Sequence, residues 1–172
     1  MKGKIIVVEG TDCSGKETQT SLLVQRLRRE GRKIERLSFP EYDSPTGRIV
    51  GGPYLGKTHI GDGFFPEGAA NVDPKVAALY YAADRRYNRQ KILDLLNDGI
   101  DVVIDRYVES NMGHQGGKIF DKDERLKLYE DLANLEYGFL ELPKPLTITG
   151  LSVEAAVRLI PQLLPVPSVL IL

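Results

Sequence analysis

The residues most able to do chemistry lie near the start of the chain, in Gly10-Thr11-Asp12-Cys13-Ser14-Gly15-Lys16. A glycine, four residues, a second glycine and a lysine give the spacing of a loop that wraps phosphate. Successive backbone N–H groups in such a loop form an anion-binding concavity, and a following helix points its positive end at the same place. Lys16 then reaches the outer phosphates of a nucleotide. The residue after the lysine is Glu17, where this motif ordinarily has a hydroxyl that ligates Mg²⁺, and Thr18 comes one place late. Two readings of Glu17 stand side by side: a hard carboxylate donor to Mg²⁺, or a charge set against the helix dipole with no metal role. Thr18, rotated by about 100° around the helix, does not simply replace it.

A second constellation is Asp105-Arg106, at the end of an apolar run Val102–Ile104. A strand end beside a phosphate loop is where doubly wound sheets bind ligands. There Asp105 could hold Mg²⁺ or take a proton from an attacking oxygen, and Arg106 could fork onto a phosphate. Tyr81 and Arg85 share one helix face at i and i+4, a pairing that packing plus a surface charge would also produce.

The elements that must position these groups follow from pattern. Residues 4–9 read as a buried strand, and a helix runs from about Lys16 to Glu30, with Leu22, Leu23 and Leu27 on one side and Gly31 as its stop. "KIERLSFP" forms a second strand ending at Pro40. Residues 51–70, with six glycines and two prolines, read as a long loop. Asp73 as N-cap, Pro74 in the first turn and Gly99 after the last bound the clearest helix. "DVVIDRY" is a third strand, and Leu128, Leu132, Leu135 and Phe139 recur at helical spacing in a later helix. "LTITGL" is a fourth strand. Continuous apolar strands alternating with helices specify an α/β fold: a parallel sheet flanked by helices on both faces. The last fourteen residues, "LIPQLLPVPSVLIL", are uncharged and contain three prolines. "SVLIL" reads either as a fifth strand or as part of a tail unrelated to the preceding fold.

Composition narrows the function. At 172 residues the chain makes one domain, 1–172, with 153–172 atypical. A net charge of −1 gives no basic field for nucleic acid or membrane, and the single cysteine excludes an internal disulfide framework and fits a reducing cytoplasm. The apolar run at the N-terminus is too short for a signal peptide. No N-K-x-D motif is present to read a guanine base.

Taken together, "EGTDCSGKETQ", "FP" at 39–40, "YAADR" at 81–85 and "DRYVESNMGHQGG" at 105–117 resemble the thymidylate kinase family of nucleoside-monophosphate kinases, over residues 1 to about 152. The resemblance implies a three-layer αβα fold of the P-loop nucleoside-triphosphate hydrolase type and a cytoplasmic homodimer. It also implies transfer of the γ-phosphoryl group of ATP to dTMP with Mg²⁺. It assigns Gly10, Thr11, Asp12, Cys13, Ser14, Gly15, Lys16, Glu17 and Thr18 to the ATP loop, with Lys16, Asp105 and Arg106 at the reaction and Asp105 at the metal, where Glu17 is the second candidate donor. It places Asp12, Phe39, Pro40, Tyr81, Arg85, Arg106, Asn111, His114 and Gln115 around dTMP. In that arrangement Asp12 meets the 3′-hydroxyl, Tyr81 stacks on thymine, Arg85 bonds its carbonyl edge and Arg106 holds the acceptor phosphate.

The sequence departs from the family pattern at Glu17, at Tyr42 (an arginine in many members), at His114 (often a tyrosine) and beyond Arg158, where no basic residue follows. Some members carry a catalytic arginine in the phosphate loop and others in a lid past the fourth strand. Here the loop has Cys13 and Ser14, which leaves Arg158 as the last basic residue for a lid. Besides an active or impaired kinase, the residues leave open a deoxynucleoside kinase and a non-catalytic nucleotide-binding module.

Overall fold

Two apolar runs, Ile5–Glu9 (β1) and Asp101–Asp105 (β3), are buried along their whole length, as strands covered on both faces must be. They pair in parallel, Ile5 opposite Val102 through Val8 opposite Asp105. In the computed structural model, which describes residues 2–10, 15–148 and 168–171, β3 also pairs with β2 (Ile34–Ser38). On the other side of β1 lie β5 (Ser168–Ile171) and, beyond it, β4 (Leu146–Ile148). The sheet order is β2-β3-β1-β5-β4, with every pairing parallel. Of the two readings of "SVLIL", the strand is the one realised, against β1.

Helix α1 (Lys16–Arg29) turns Leu23, Val24 and Leu27 onto Ile6, Val8, Ile34 and Val103. Strand alternation sends Ile5, Val7, Val102 and Ile104 to the opposite face, where they are buried as well. Asp101 ties the base of the sheet, accepting from the Lys4 backbone N–H at 2.9 Å and from Arg32 at 3.0 Å.

The chain divides into two units. The sheet, α1, residues 90–107 and residues from 143 onward form one. The other comprises residues 39–89 and 108–142, with α2 (Pro45–Ile49), most of α3 (Pro74–Asn97), α4 (Val108–Gly116) and α5 (Lys122–Ala133). In this second unit the backbone departs from sequence expectation twice. The segment read as loop from residue 51 begins as a helical continuation of α2, a π-helical turn over Val50–Tyr54 closed by Leu55 N–H to Val50 O at 2.9 Å. Its glycines and Pro53 mark no break, because burial of Tyr54 secures the turn: its ring stacks on Tyr80 at 5.6 Å and meets Phe65 and Tyr81 edge-on. Gly47 allows the chain to fold back there, since a Cβ would lie 1.8 Å from the Glu41 carbonyl oxygen.

The second departure follows α5. Leu128 and Leu132 are buried, with Leu135 packed against them, but Phe139 is 81% exposed. A π-helical turn, Asn134–Phe139, adds a residue to the register, with Leu140 N–H bonding Leu135 O at 2.8 Å. The turn carries Phe139 out and leaves Glu136 fully enclosed.

Candidate functional site

In the sheet unit, the phosphate-loop candidates Thr11, Asp12, Cys13 and Ser14 lie outside the described residues. Gly15 takes φ +82° at the start of α1, a left-handed conformation that glycine adopts without penalty. Gly15, the N-cap of α1, has no side chain to cap the helix, and a helix N-terminus favours an anion. Lys16 is buried on the first turn, its carbonyl accepting the Thr20 hydroxyl at 2.6 Å, while Glu17 and Thr18 are exposed.

At the end of β3 the buried Asp105 carboxylate accepts from Arg36 Nη2 at 3.2 Å. The next residue, Arg106, has φ +67°, a conformation that costs an L-residue roughly 1–2 kcal/mol. Two bonds flank that turn: Arg106 N–H to Val8 O at 3.1 Å, and Tyr107 N–H to Glu9 Oε1 at 2.7 Å. Tyr107 is fully buried, and its hydroxyl donates to Pro143 O at 3.2 Å.

For Mg²⁺, the donor chemistry fits without a protein cage. Asp105 and Glu17 are hard oxygen donors, and Mg²⁺ beside nucleotide phosphates commonly takes only one or two carboxylates. Among the described residues no group of three or more His, Cys, Asp or Glu gathers to hold a metal ion.

In the second unit, Phe39 is buried and joined to Pro40 by a cis peptide bond. The segment that follows is anchored by Asp84, one residue before Arg85. Its carboxylate accepts from Glu41 N–H at 2.9 Å, Ser44 Oγ at 3.0 Å, Thr46 Oγ1 at 2.8 Å and Asn88 Nδ2 at 3.0 Å. Tyr81 is half-buried in the aromatic cluster around Tyr54. Burial raises the Tyr54 phenol above its ordinary pKa, and its hydroxyl bonds Ala69 O at 3.1 Å. Lys57 Nζ sits 4.2 Å over the Tyr42 ring, which puts a cation beside the position where the family pattern has an arginine.

Arg85 and Asn111 meet on one carboxylate that sequence reading passed over. Arg85 is 2% exposed and forks onto the wholly buried Glu136, through Nε to Oε2 and through Nη2 to Oε1 at 2.6 Å. Asn111 Nδ2 donates to the same Oε1 at 2.9 Å and to Ala78 O at 3.2 Å. Both amide hydrogens are thereby used, which fixes the orientation of the group. Asn111 Oδ1 and Gln115 Oε1 are then buried acceptors with no hydrogen-bond partner, one turn apart on α4. His114, between them in sequence, is exposed. The structure thus brings Arg85 and Asn111 together, seats Gln115 on the same helix face as Asn111, and turns His114 outward. The one signal for Glu136 was its place in a leucine-periodic helix, where a charge would ordinarily face solvent.

With this geometry in place, comparison with known proteins identifies the lineage. The sequence model of the family described as thymidylate kinase matches residues 8–145. The thymidylate kinase of Plasmodium falciparum is 33% identical over 118 residues, 69% of this chain and 50% of that protein. A solved thymidylate kinase from Candida albicans aligns with a TM-score of 0.60 at 29% identity, covering 91% of this chain and 66% of its own. The solved thymidylate kinase of Ehrlichia chaffeensis, at 21% identity and a TM-score of 0.62, covers 99% and 88% and shows the same fold, that of the P-loop nucleoside-triphosphate hydrolases. The chain spans about half the length of the curated relatives it matches. On the match over residues 8–145, the chain belongs to the thymidylate kinase family.

Proposed function

We propose that the chain transfers the γ-phosphoryl group of ATP to dTMP, giving ADP and dTDP. The observation that carries the choice of base is the pair of buried, unpartnered amide oxygens, Asn111 Oδ1 and Gln115 Oε1. An acceptor held without a partner costs about 1–3 kcal/mol until a donor arrives. Thymine offers an N3–H donor, whereas cytosine presents a bare nitrogen there. With its amide fixed by Glu136 and Ala78, Asn111 cannot turn its NH₂ toward the base to suit cytosine. Tyr81 supplies the stacking face, Arg85 lines the base side, and Phe39-Pro40 shapes the pocket wall. His114 and Asp12 are assigned to the sugar.

Phosphoryl transfer asks for positioning and charge neutralisation rather than covalent catalysis. The loop from Gly10 to Lys16, with the N-terminus of α1, cradles the ATP phosphates, and Glu17 and Thr18 flank it. Arg106 holds the acceptor phosphate, and Lys57 adds a cation beside Tyr42. Asp105, with Glu17 as the second donor, holds Mg²⁺, which when bound neutralises phosphate charge. We place the protein in the cytoplasm as a homodimer. Support for the dimer is the exposed apolar row Val76, Leu79 and Tyr87 on α3.

An ADP-release assay with ATP, Mg²⁺ and a panel of acceptors tests the reading. Turnover of dTMP is expected to exceed that of dCMP by about tenfold to a hundredfold, the factor that corresponds to about 1–3 kcal/mol, with AMP and thymidine poor acceptors. Equal turnover of dCMP would overturn the base assignment. Tight binding of dTMP with no turnover of any acceptor would overturn the catalytic one.

A further inference from the structure

Arg106 occupies a left-handed backbone position that glycine would fill without penalty, so its side chain must be wanted there and the turn must be held by something else. The β1–β3 ladder ends with Val8 opposite Asp105. One residue further, a regular strand pair would continue from Glu9; instead the chain turns away at Arg106. The Arg106 N–H still reaches Val8 O. The next N–H, that of Tyr107, would be orphaned in a buried place, and the Glu9 side chain takes it at 2.7 Å. Glu9 is thus buried at the strand end because it replaces a ladder bond with a side-chain one. Hydrogen bonds to a carboxylate in its ionised form are about twice as strong as neutral ones.

We infer that Glu9 is a positioning residue for Arg106: by holding Tyr107 N–H, it fixes the left-handed turn from which the Arg106 guanidinium leaves the strand. The inference rests on the reading in which Arg106 binds the acceptor phosphate. Shortening or removing the Glu9 carboxylate lets the turn relax toward ordinary strand geometry, which re-aims Arg106 while leaving the base contacts alone. The loss is therefore specific to acceptors that carry a phosphate.

The test is calorimetric affinity for dTMP and for thymidine, with thermal unfolding as a control, for Glu9→Ala, Glu9→Asp, Glu9→Gln, Arg106→Ala and the Glu9→Ala/Arg106→Ala pair. Glu9→Ala is expected to weaken dTMP about tenfold, the effect of losing one charge-assisted bond, with thymidine affinity unchanged. Glu9→Asp keeps the charge but falls one methylene short, so it shows the same selective loss and serves as the test should the alanine variant not fold. Glu9→Gln retains an acceptor oxygen and stays within about threefold of the parent. In the Arg106→Ala background the Glu9 change has no further effect. Equal losses for dTMP and thymidine, or a tenfold loss that persists without Arg106, would overturn the inference alone. If Arg106→Ala itself leaves dTMP affinity unchanged, the acceptor-phosphate reading falls, and the inference falls with it.

Discussion

Removing Glu136 takes away the carboxylate onto which the buried Arg85 guanidinium forks, and the size of the effect follows from burial. Arg85 is 2% exposed and Glu136 is 0% exposed. Neither charge can recover water when its partner is lost, and breaking a buried pair from one side costs about 3–5 kcal/mol. Glu136→Leu also removes one of the two acceptors of Asn111 Nδ2, the other being Ala78 O. For a chain of this size the loss corresponds to a melting-temperature drop of about 6–20 °C. The double variant Arg85→Met/Glu136→Leu removes both charges and keeps the volume. It should lose only about 1–3 kcal/mol, the cost of the weakened Asn111 amide. The signature is a double variant more stable than either single one, measured by urea unfolding of all four proteins. A Glu136→Leu loss below about 1 kcal/mol, with the slope of the transition unchanged, would refute the reasoning, because it would mean that solvent reaches the pair. In the same proteins the proposed preference for dTMP over dCMP should shrink, since the Asn111 amide is no longer held in one orientation.

Tyr54 gives the pH dependence. Its phenol is raised by burial above the ordinary value of 10.0, so the folded state holds this proton more tightly than the unfolded chain. Its contribution is complete below about pH 10 and is lost as pH climbs through the raised value. Thermal unfolding from about pH 9 to about pH 11 should therefore show a shallower alkaline decline for Tyr54→Phe than for the parent. Asp84→Ala removes the carboxylate acceptor shared by Glu41, Ser44, Thr46 and Asn88, and it should cost about 2–4 kcal/mol, summed from net losses of about 0.5–1.5 kcal/mol per bond with partial rehydration. Limited proteolysis should then cut first within residues 39–47, and protection there equal to the parent's would refute the anchoring role.

The sheet was legible because burial on both faces leaves a continuous apolar run, and β1 and β3 each show one. The start of α1 was legible because Gly15 and Lys16 mark a strand-to-helix turn with a phosphate-loop spacing. The helical segment through Val50–Tyr54 was not legible, since Gly51, Gly52 and Pro53 signal a break by every local rule. What overrides them is the packing of Tyr54 against Phe65, Tyr80 and Tyr81, up to 27 positions further on. The apolar period that counted Phe139 into the core failed for a similar reason. It assumed an unbroken 3.6-residue repeat, and a π-helical turn at Asn134–Phe139 shifts the register by one residue.

The candidate site divides along the same line. Local pattern nominated Lys16, Asp105 and Arg106, and the family resemblance added Arg85, Asn111 and Gln115, but neither could identify what holds them. Arg85 and Glu136 are 51 positions apart, and Glu9 and Tyr107 are 98, so no window short enough to show a helix or strand period contains both partners. Neither carboxylate was singled out in the sequence: Glu9 only closes the strand 4–9, and Glu136 lies unremarked among the periodic leucines. Burial singles out both. A carboxylate held away from water must be satisfied by donors, and here those donors belong to Arg85 and Asn111 in one case and to the backbone beside Arg106 in the other. The buried acids therefore mark which cations are fixed in direction. By that criterion Arg85 on Glu136, Arg32 on Asp101 and Arg36 on Asp105 are held by buried acids, Glu9 holds the backbone next to Arg106, and Arg26, Arg28 and Arg29 of α1 stay exposed.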